Sequence, residues 1–115
     1  MNFDKLHILL VCNLGASTGV IVTKMKEIAE NSEKLKHVDI KIEAHPAGDI
    51  LEYIDDFDLV MLGPQIKHRF KDLEKLCLER KKPITVIDTK DYGSVNGGNI
   101  LKTAILLKLE SMEGK

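Results

Sequence analysis

The strongest constraint on the fold is an alternation of short apolar segments with longer segments of helical periodicity. The apolar segments, which we predict to be strands, span residues 6–11, 38–44, 58–62 and 84–87. The helical segments span residues 18–34, 46–54, 66–80 and 100–112, and a loop is predicted for 88–98. Because alternating strands and helices form parallel sheets through right-handed crossovers, helices should cover both faces. The sequence therefore predicts an α/β fold.

Each predicted helix carries an apolar stripe that should pack on the sheet. The predicted inward residues are Ile21, Val22, Met25, Ile28 and Ala29 in the first helix, Ala47, Ile50, Leu51 and Ile54 in the second, Ile66, Phe70, Leu73 and Cys77 in the third, and Leu101, Ala104, Ile105, Leu109 and Met112 in the last. Residues 38–44 alternate between apolar and charged side chains. That alternation is typical of a strand with one exposed face, which predicts an edge position.

Composition limits the classes of protein to consider. The chain has 115 residues, 43% hydrophobic and 30% charged, so we expect one domain over residues 1–115 with its core between about Leu6 and Leu109. The net charge of -1 gives no electrostatic support to a nucleic-acid role. No apolar run is long enough to span a bilayer, so no membrane insertion is expected. Residues 1–5 lack a signal-peptide layout, which predicts a cytoplasmic protein with reduced thiols.

Cys12 ends the first apolar segment and is followed by a short polar turn that contains Gly15. This pattern puts a thiol at the carboxyl end of a strand and beside a helix N-terminus, where backbone N–H groups and the helix dipole favour anions. The same field favours the thiolate form of a cysteine. Ser17 and Thr18 supply hydroxyl groups that suit a helix cap or a phosphate. The pattern therefore indicates phosphoryl chemistry on cysteine.

A purely structural interpretation of the same residues is also available. Free cysteine packs like a small hydrophobe, but a core cysteine would lie within the apolar run, and Cys12 stands at its end. Gly15 can serve a tight turn, a close approach to an anion, or both. Segments 44–46, 63–65 and 88–97 should join the cysteine loop at one edge of the sheet, where such sheets bind ligands.

The other chemistry-bearing residues are interpreted as structural or surface residues. Cys77 lies on an apolar helix stripe and is predicted to be a core residue. The four histidines are His7, His37, His45 and His68. None of them has a paired ligand spacing, although His45 lies nearest the predicted active edge, and neither a metal nor a cofactor is expected. The basic cluster at residues 67–71 is either a solvated helix face or a surface that steers an acidic partner.

Three classes of protein other than a phosphoryl carrier could also use a functional loop between a strand and a helix. A small cysteine phosphatase needs an arginine at the position of Thr18 to clamp phosphate, and a thiol redox protein needs a second cysteine at the position of Gly15. A flavin- or anion-binding module could grip phosphate through residues 17–19, with no tryptophan and only two tyrosines and three phenylalanines for stacking. A phosphoryl carrier fits best, with the phosphatase and the binding module as alternatives.

Motifs spread from about Leu6 to Ala104 match those of a known family. Its cysteine loop, Cys-x-x-Gly-x-Ser-Thr-Ser, corresponds to residues 12–19, and its Leu-Gly-Pro-Gln-Ile motif to residues 62–66. Shorter matches are Thr23-Lys24-Met25, Ile42-Glu43-Ala44, Val86-Ile87-Asp88 and Tyr92-Gly93. On these motifs the chain resembles the IIB component of the phosphoenolpyruvate-dependent sugar phosphotransferase system (PTS), of the lactose/cellobiose (chitobiose) type. It departs from the family's usual residues at Asn13, Leu14, Ala16 and Gly19.

The resemblance implies a single EIIB domain of the lactose/cellobiose type (type 3) with a four-stranded parallel sheet in the order 2-1-3-4. That fold is similar to the three-layer sandwich of low-molecular-weight phosphatases and flavodoxin. The resemblance also implies a cytoplasmic protein that associates peripherally with the inner face of the membrane through the membrane component IIC.

The resemblance further implies a sugar phosphotransferase in which Cys12 is catalytic. Cys12 would accept a phosphoryl group from a phosphohistidine of the IIA component and pass it to a sugar bound in IIC, by similarity a cellobiose-like β-disaccharide. The implied phosphate-binding loop comprises Asn13, Leu14, Gly15, Ala16, Ser17, Thr18 and Gly19. The candidates for partner contacts are Gln65, Lys67, His68, Arg69 and Tyr92.

Overall fold

A computed structural model describes residues 3–13 and 17–113 of the chain. Its strands are β1 (Lys5–Cys12), β2 (Asp39–Pro46), β3 (Leu59–Leu62) and β4 (Ile84–Val86). Its α-helices are α1 (Ser17–Glu30), α2 (Ile50–Tyr53), α3 (Phe70–Glu79), α4 (Thr89–Gly93) and α5 (Gly97–Glu113). Turns of 3-10 helix at Glu33–Leu35, Ala47–Asp49, Ile54–Asp56 and Pro64–Arg69 connect these elements.

The four strands form one sheet in the order β2-β1-β3-β4, and every pair is parallel. This arrangement confirms the predicted α/β fold, the order 2-1-3-4 and the edge position of β2. In the register, Cys12 lies opposite Pro46 of β2, while Val11 lies opposite Leu62 of β3. The carboxyl ends of the strands therefore meet at one edge of the sheet, and Cys12 stands at that edge.

Side chains of β1 alternate between two separate hydrophobic cores, one on each face of the sheet. Leu6, Ile8 and Leu10 pack in the core that α1 and α5 cover. Leu9 and Val11 face the opposite core, which α2 and α3 cover. Because strand side chains alternate, a strand buried on both faces reads as continuous apolar sequence, as β1 does. Helices on both faces confirm the three-layer arrangement.

The prediction of a loop over residues 88–98 is wrong in part, because residues Thr89–Gly93 form the short helix α4. The carboxylate of Asp88 caps this helix by accepting hydrogen bonds from the backbone N–H groups of Lys90 and Asp91, at 3.0 and 3.2 Å. An aspartate in this position satisfies N–H groups that would otherwise lack partners. The helix α5 also begins earlier than predicted, at Gly97.

Three residues of the predicted apolar stripes are exposed, namely Ile28, Leu51 and Met112. In α1 the buried face is narrower than the sequence pattern, and it carries Ile21, Met25 and Ala29. The helix ends at Glu30, before the predicted residue 34, and the chain then turns so that Leu35 enters the core. The predicted third helix is likewise split, because residues Pro64–Arg69 form 3-10 turns before α3. Cys77 is fully buried, which confirms it as a core residue.

Helices α1 and α5 approach each other closely at Gly97, which predicts a large cost for any side chain there. A Cβ atom at this position would stand 2.9 Å from Cβ of Lys24 and 3.1 Å from the backbone N of Met25. We expect Gly97→Ala to lower the free energy of unfolding by about 1–3 kcal/mol, because the backbone of α1 must move.

Urea denaturation measures this change as a lower midpoint at an unchanged m-value. Gly48→Ala is the matched control, since a Cβ there would have no neighbour within 4 Å. Equal midpoints for the two variants would show that the helices have room at Gly97.

Candidate functional site

Cys12 is the last residue of β1, and it is 8% exposed. The exposed residue Asn13 follows it, and α1 begins at Ser17. The predicted loop residues Leu14, Gly15 and Ala16 lie outside the described residues. The thiol therefore stands at the carboxyl end of an interior strand, between β2 and β3, and a short connection joins that strand to α1.

Thr18 closes the other end of this connection in the first turn of α1. It is 2% exposed, and its hydroxyl lies 2.9 Å from the hydroxyl of Tyr92 in α4. Tyr92 is itself only 9% exposed. Gly19, the last predicted loop residue, is exposed on α1 and its carbonyl accepts a hydrogen bond from the Thr23 hydroxyl at 3.1 Å.

The turn after β3 packs directly against the end of β1. The backbone N–H of Gly63 donates to the carbonyl of Val11 at 2.9 Å. A Cβ atom on Gly63 would stand 2.8 Å from Oε1 of Gln65 and 3.7 Å from both Cε2 of Tyr92 and the carbonyl oxygen of Val11. Gln65 and Tyr92 therefore both lie beside Gly63, next to the strand that carries Cys12.

A cavity of about 320 Å³ opens beside Tyr92. Its lining residues are Pro64, Gln65, Lys67, Thr89, Tyr92 and Gly93. Lys67 and His68 are exposed next to it, and Arg69 is half-buried. The structure thus brings the five residues predicted as candidates for partner contacts to the loops around β3 and α4, at the same edge of the sheet as Cys12.

His45 is held away from Cys12 despite its place at the active edge. It lies opposite Val11 in the register, so its side chain is on the face of the sheet opposite to that of Cys12. Its ring stacks on Tyr53 with centroids 3.6 Å apart, and its Nε2 lies 2.9 Å from Oε1 of Glu43. The hydrogen bond from His45, opposed by desolvation and assisted by the charge of Lys41, lowers the pKa of Glu43.

Sequence reasoning missed the pairing of Thr18 with Tyr92. The available signal was Asp88, a helix-capping residue that precedes Tyr92 by one helical turn. A cap at that position predicts α4, and α4 carries Tyr92 towards the start of α1.

The described residues contain neither a group of side chains placed to bind a metal ion nor a helix that could span a membrane. Among residues 3–13 and 17–113, no group of three or more His, Cys, Asp or Glu side chains is arranged to hold a metal ion. Within the same residues, no helix combines the length and apolarity needed to cross a bilayer.

The two thiols should differ sharply in reactivity. Burial, assisted by the charge of Glu74, raises the pKa of the Cys77 thiol to about 11, and the residue is 0% exposed. Because thiolate is the reactive form, we expect iodoacetamide at neutral pH to alkylate Cys12 in the folded protein and to leave Cys77 unmodified.

Peptide mass mapping distinguishes the two thiols, and urea should make both of them reactive. In Cys77→Ala, labelling of Cys12 should persist, whereas Cys12→Ser should remove all fast labelling. Alkylation of Cys77 at the same rate as Cys12 in the native protein would contradict this account of its burial.

Comparison with known proteins identifies the family. Residues 7–103 match the family described as "PTS system, Lactose/Cellobiose specific IIB subunit". The chain is 32% identical over 100 residues to the oligo-beta-mannoside-specific EIIB component of Bacillus subtilis. This match covers 87% of this chain and 93% of that protein. It is 31% identical over 106 residues to the cellobiose-specific EIIB component of Lactococcus lactis. That match covers 88% of this chain and 94% of the other protein.

Solved structures agree with this assignment. The solution structure of the cellobiose-specific phosphotransferase IIB component from Borrelia burgdorferi is 36% identical, with a TM-score of 0.74 over 93% of this chain and 94% of that one. The lactose-specific IIB domain from Streptococcus pneumoniae, at 15% identity, shares the fold with a TM-score of 0.75 over 90% and 97%. The chain thus belongs to the lactose/cellobiose-specific IIB subunits of the PTS, which are phosphoryl carriers and sugar phosphotransferases.

Proposed function

We propose that Cys12 is the residue that carries the phosphoryl group. The observation that supports this role most directly is its position at the carboxyl end of β1, immediately before the connection to α1. Ligands of parallel α/β sheets bind at this edge, and a helix N-terminus offers free N–H groups to an anion. Cys77, the other thiol, is buried in the core away from this edge.

The proposed reaction has two displacements at phosphorus. In the first, the Cys12 sulfur attacks the phosphorus of a phosphohistidine on IIA, so that an S–P bond forms as the N–P bond breaks and the thiol proton ends on the imidazole. In the second, a sugar hydroxyl oxygen attacks, an O–P bond forms as the S–P bond breaks, and the hydroxyl proton ends on the thiol. Positioning and donors aimed at the phosphoryl oxygens supply the catalysis.

The phosphate-binding loop proposed for this reaction runs from Asn13 to Gly19. Its backbone N–H groups would stabilise the phosphoryl oxygens, as happens at helix N-termini. The hydroxyl of Thr18 is already engaged with Tyr92. The absence of an arginine at the position of Thr18 suits a group that has to leave again, because a bidentate clamp would hold it more tightly.

The partners proposed for this chain are the IIA component and the membrane component IIC. The residues Gln65, Lys67, His68, Arg69 and Tyr92 are proposed as partner contacts, since they share one edge of the sheet with Cys12. The protein would act as a single domain in the cytoplasm and would meet the inner face of the membrane through IIC. The exposed basic side chains beside the cavity would steer acidic partner surfaces towards the thiol.

The sugar proposed for this chain is a cellobiose-like β-disaccharide. Relatives of similar identity are named for oligo-beta-mannosides, cellobiose and galactose, at 32%, 31% and 31%. The carrier meets only the hydroxyl group that accepts the phosphoryl group, so most of the selectivity would lie in IIC.

The function is tested by mapping the phosphoryl group after incubation with phosphoenolpyruvate, the general phosphocarriers and a IIA component. We expect the group on the peptide that contains Cys12, and its loss to sugar when membranes containing IIC and cellobiose are added. Phosphate on another residue would overturn the role of Cys12. Transfer to galactose but not to cellobiose would overturn the proposed sugar and leave the role of Cys12 intact.

A further inference from the structure

We propose that Tyr92 is a positioning residue for phosphoryl transfer, and that it acts by holding the hydroxyl of Thr18. This inference rests on the proposed role of Cys12. It assigns to Tyr92 a task inside the protein, in addition to the part of the cavity wall that its ring forms.

The bond between the two hydroxyl groups is buried and joins distant parts of the chain. The two oxygens are 2.9 Å apart, and the residues are 2% and 9% exposed. Because both residues are buried, removing one hydroxyl takes away the partner of the other, which carries a cost. Thr18 is also the one buried polar residue among those that the structure describes.

The bond fixes the second end of the connection that begins at Cys12. The first end is held by the sheet, where Cys12 pairs with Pro46 and the carbonyl of Val11 accepts the N–H of Gly63. The second end is the first turn of α1, where Thr18 meets Tyr92. The bond therefore holds the first turn of α1, the helix end whose backbone N–H groups would stabilise the phosphoryl oxygens in the proposed reaction, and such positioning speeds a transfer step.

Tyr92 is itself held firmly enough to act as an anchor. Its backbone N–H donates to the carbonyl of Asp88 at 2.9 Å, and the side chain of Asp88 caps the same helix. Its ring lies beside Gly63, where a Cβ atom would stand at an ordinary contact distance of 3.7 Å from Cε2. The anchor therefore connects α4, the turn after β3 and the start of α1.

Either hydroxyl can be the donor in this bond. A hydroxyl group has one proton to donate and can also accept. When Tyr92 donates to Thr18, the proton of Thr18 is left to point elsewhere, and a chain of hydroxyls polarises each bond in it. In either direction the bond holds the Thr18 hydroxyl in place, and Tyr92 acts through that hydroxyl and not on the reacting atoms.

The experiment measures single-turnover transfer of phosphate from phosphorylated IIA to the protein, over a range of IIA concentrations. We expect Tyr92→Phe to lower the maximal rate about tenfold while the half-saturating IIA concentration stays within about twofold. Thr18→Val should reproduce this loss, and Thr18→Ser, which keeps a hydroxyl, should restore most of the rate. The double variant Tyr92→Phe/Thr18→Val should be no slower than the slower single variant, because both remove one interaction.

Tyr53→Phe is the matched control, since Tyr53 is the only other tyrosine and lies in α2 on the opposite face of the sheet. It should transfer phosphate at the wild-type rate. A Tyr92→Phe rate equal to that of Tyr53→Phe, a loss confined to the half-saturating concentration, or additive losses in the double variant would each overturn the inference. Failure of the proposed function has a different signature, because the wild-type protein would then accept no phosphate.

Discussion

Replacing Cys12 with serine is expected to reduce sugar phosphorylation by at least about 1,000-fold, because a serine hydroxyl is far less ionised and less nucleophilic than a thiol at neutral pH. The change keeps the size of a side chain that is 8% exposed at the end of β1, so the fold should be retained. The measurement is phosphate transfer from phosphoenolpyruvate to sugar with IIA and membranes that contain IIC, with the variant supplied as the only IIB component.

Cys77→Ala provides the control for thiol loss. Cys77 lies in α3 and is fully buried in the core, so this variant should lose stability but transfer phosphate at a rate near that of the wild type below its unfolding temperature. The role proposed for Cys12 would be contradicted if sugar phosphorylation survived in Cys12→Ser. It would also be contradicted if sugar phosphorylation vanished in folded Cys77→Ala.

The largest effect on stability is expected from Asp58, at the end of the sheet opposite the site. Its carboxylate is 10% exposed, accepts the backbone N–H of His7 at 2.8 Å, and lies 3.3 Å from Nζ of Lys5 and 3.4 Å from Nζ of Lys108. Asp58→Ala leaves these groups without their anion, so we expect the free energy of unfolding to fall by about 2–3 kcal/mol at pH 7.

The loss should depend on pH in a defined direction. Desolvation of Asp58 opposes ionisation, but the His7 N–H and the two lysines outweigh it, so the pKa of Asp58 lies below its usual value. A lowered pKa in the folded state contributes stability above the unfolded value of about 4, and this contribution disappears as the pH falls through the folded value. The difference in free energy of unfolding between wild type and Asp58→Ala should therefore be at its maximum at pH 7 and shrink below about pH 4.

Urea denaturation of both proteins between pH 7 and pH 3 gives this difference directly. Asp55→Ala is the matched control, because Asp55 contacts Arg80 at 2.8 Å on the exposed surface, with its side chain 66% exposed. We expect it to change stability by no more than about 1 kcal/mol. A constant gap between wild type and Asp58→Ala across this pH range would contradict the role given to the carboxylate.

Hydrophobic pattern was sufficient to predict the sheet. The continuous apolar run of β1 and the alternation of β2 follow from burial on two faces and on one, and both strands occupy the predicted places. The strand order came from the resemblance of the motifs. Exposure of Leu51 and Met112 shows where pattern fails, since α2 is a single turn and Met112 lies in the last turn of α5, beyond the buried Ala104.

The site was predicted less completely than the fold. A thiol at the end of a strand is a local pattern, so Cys12 could be located from its neighbours in the sequence. The contact of Thr18 with Tyr92 joins residues 74 positions apart, and no local pattern encodes such a contact. Gly63 gave no signal beyond its place in a family motif, yet its N–H donates to the carbonyl of Val11 and Tyr92 lies beside it.

The most direct test of phosphoryl carriage through Cys12 is the intact mass of the protein after incubation with phosphoenolpyruvate, the general phosphocarriers and a IIA component. We predict a gain of one phosphoryl group in the wild type and in Cys77→Ala, and no gain in Cys12→Ser. An unchanged wild-type mass with a IIA component that is itself phosphorylated, together with Cys12-dependent release of phosphate from an aryl phosphate, would contradict the account and favour a phosphatase.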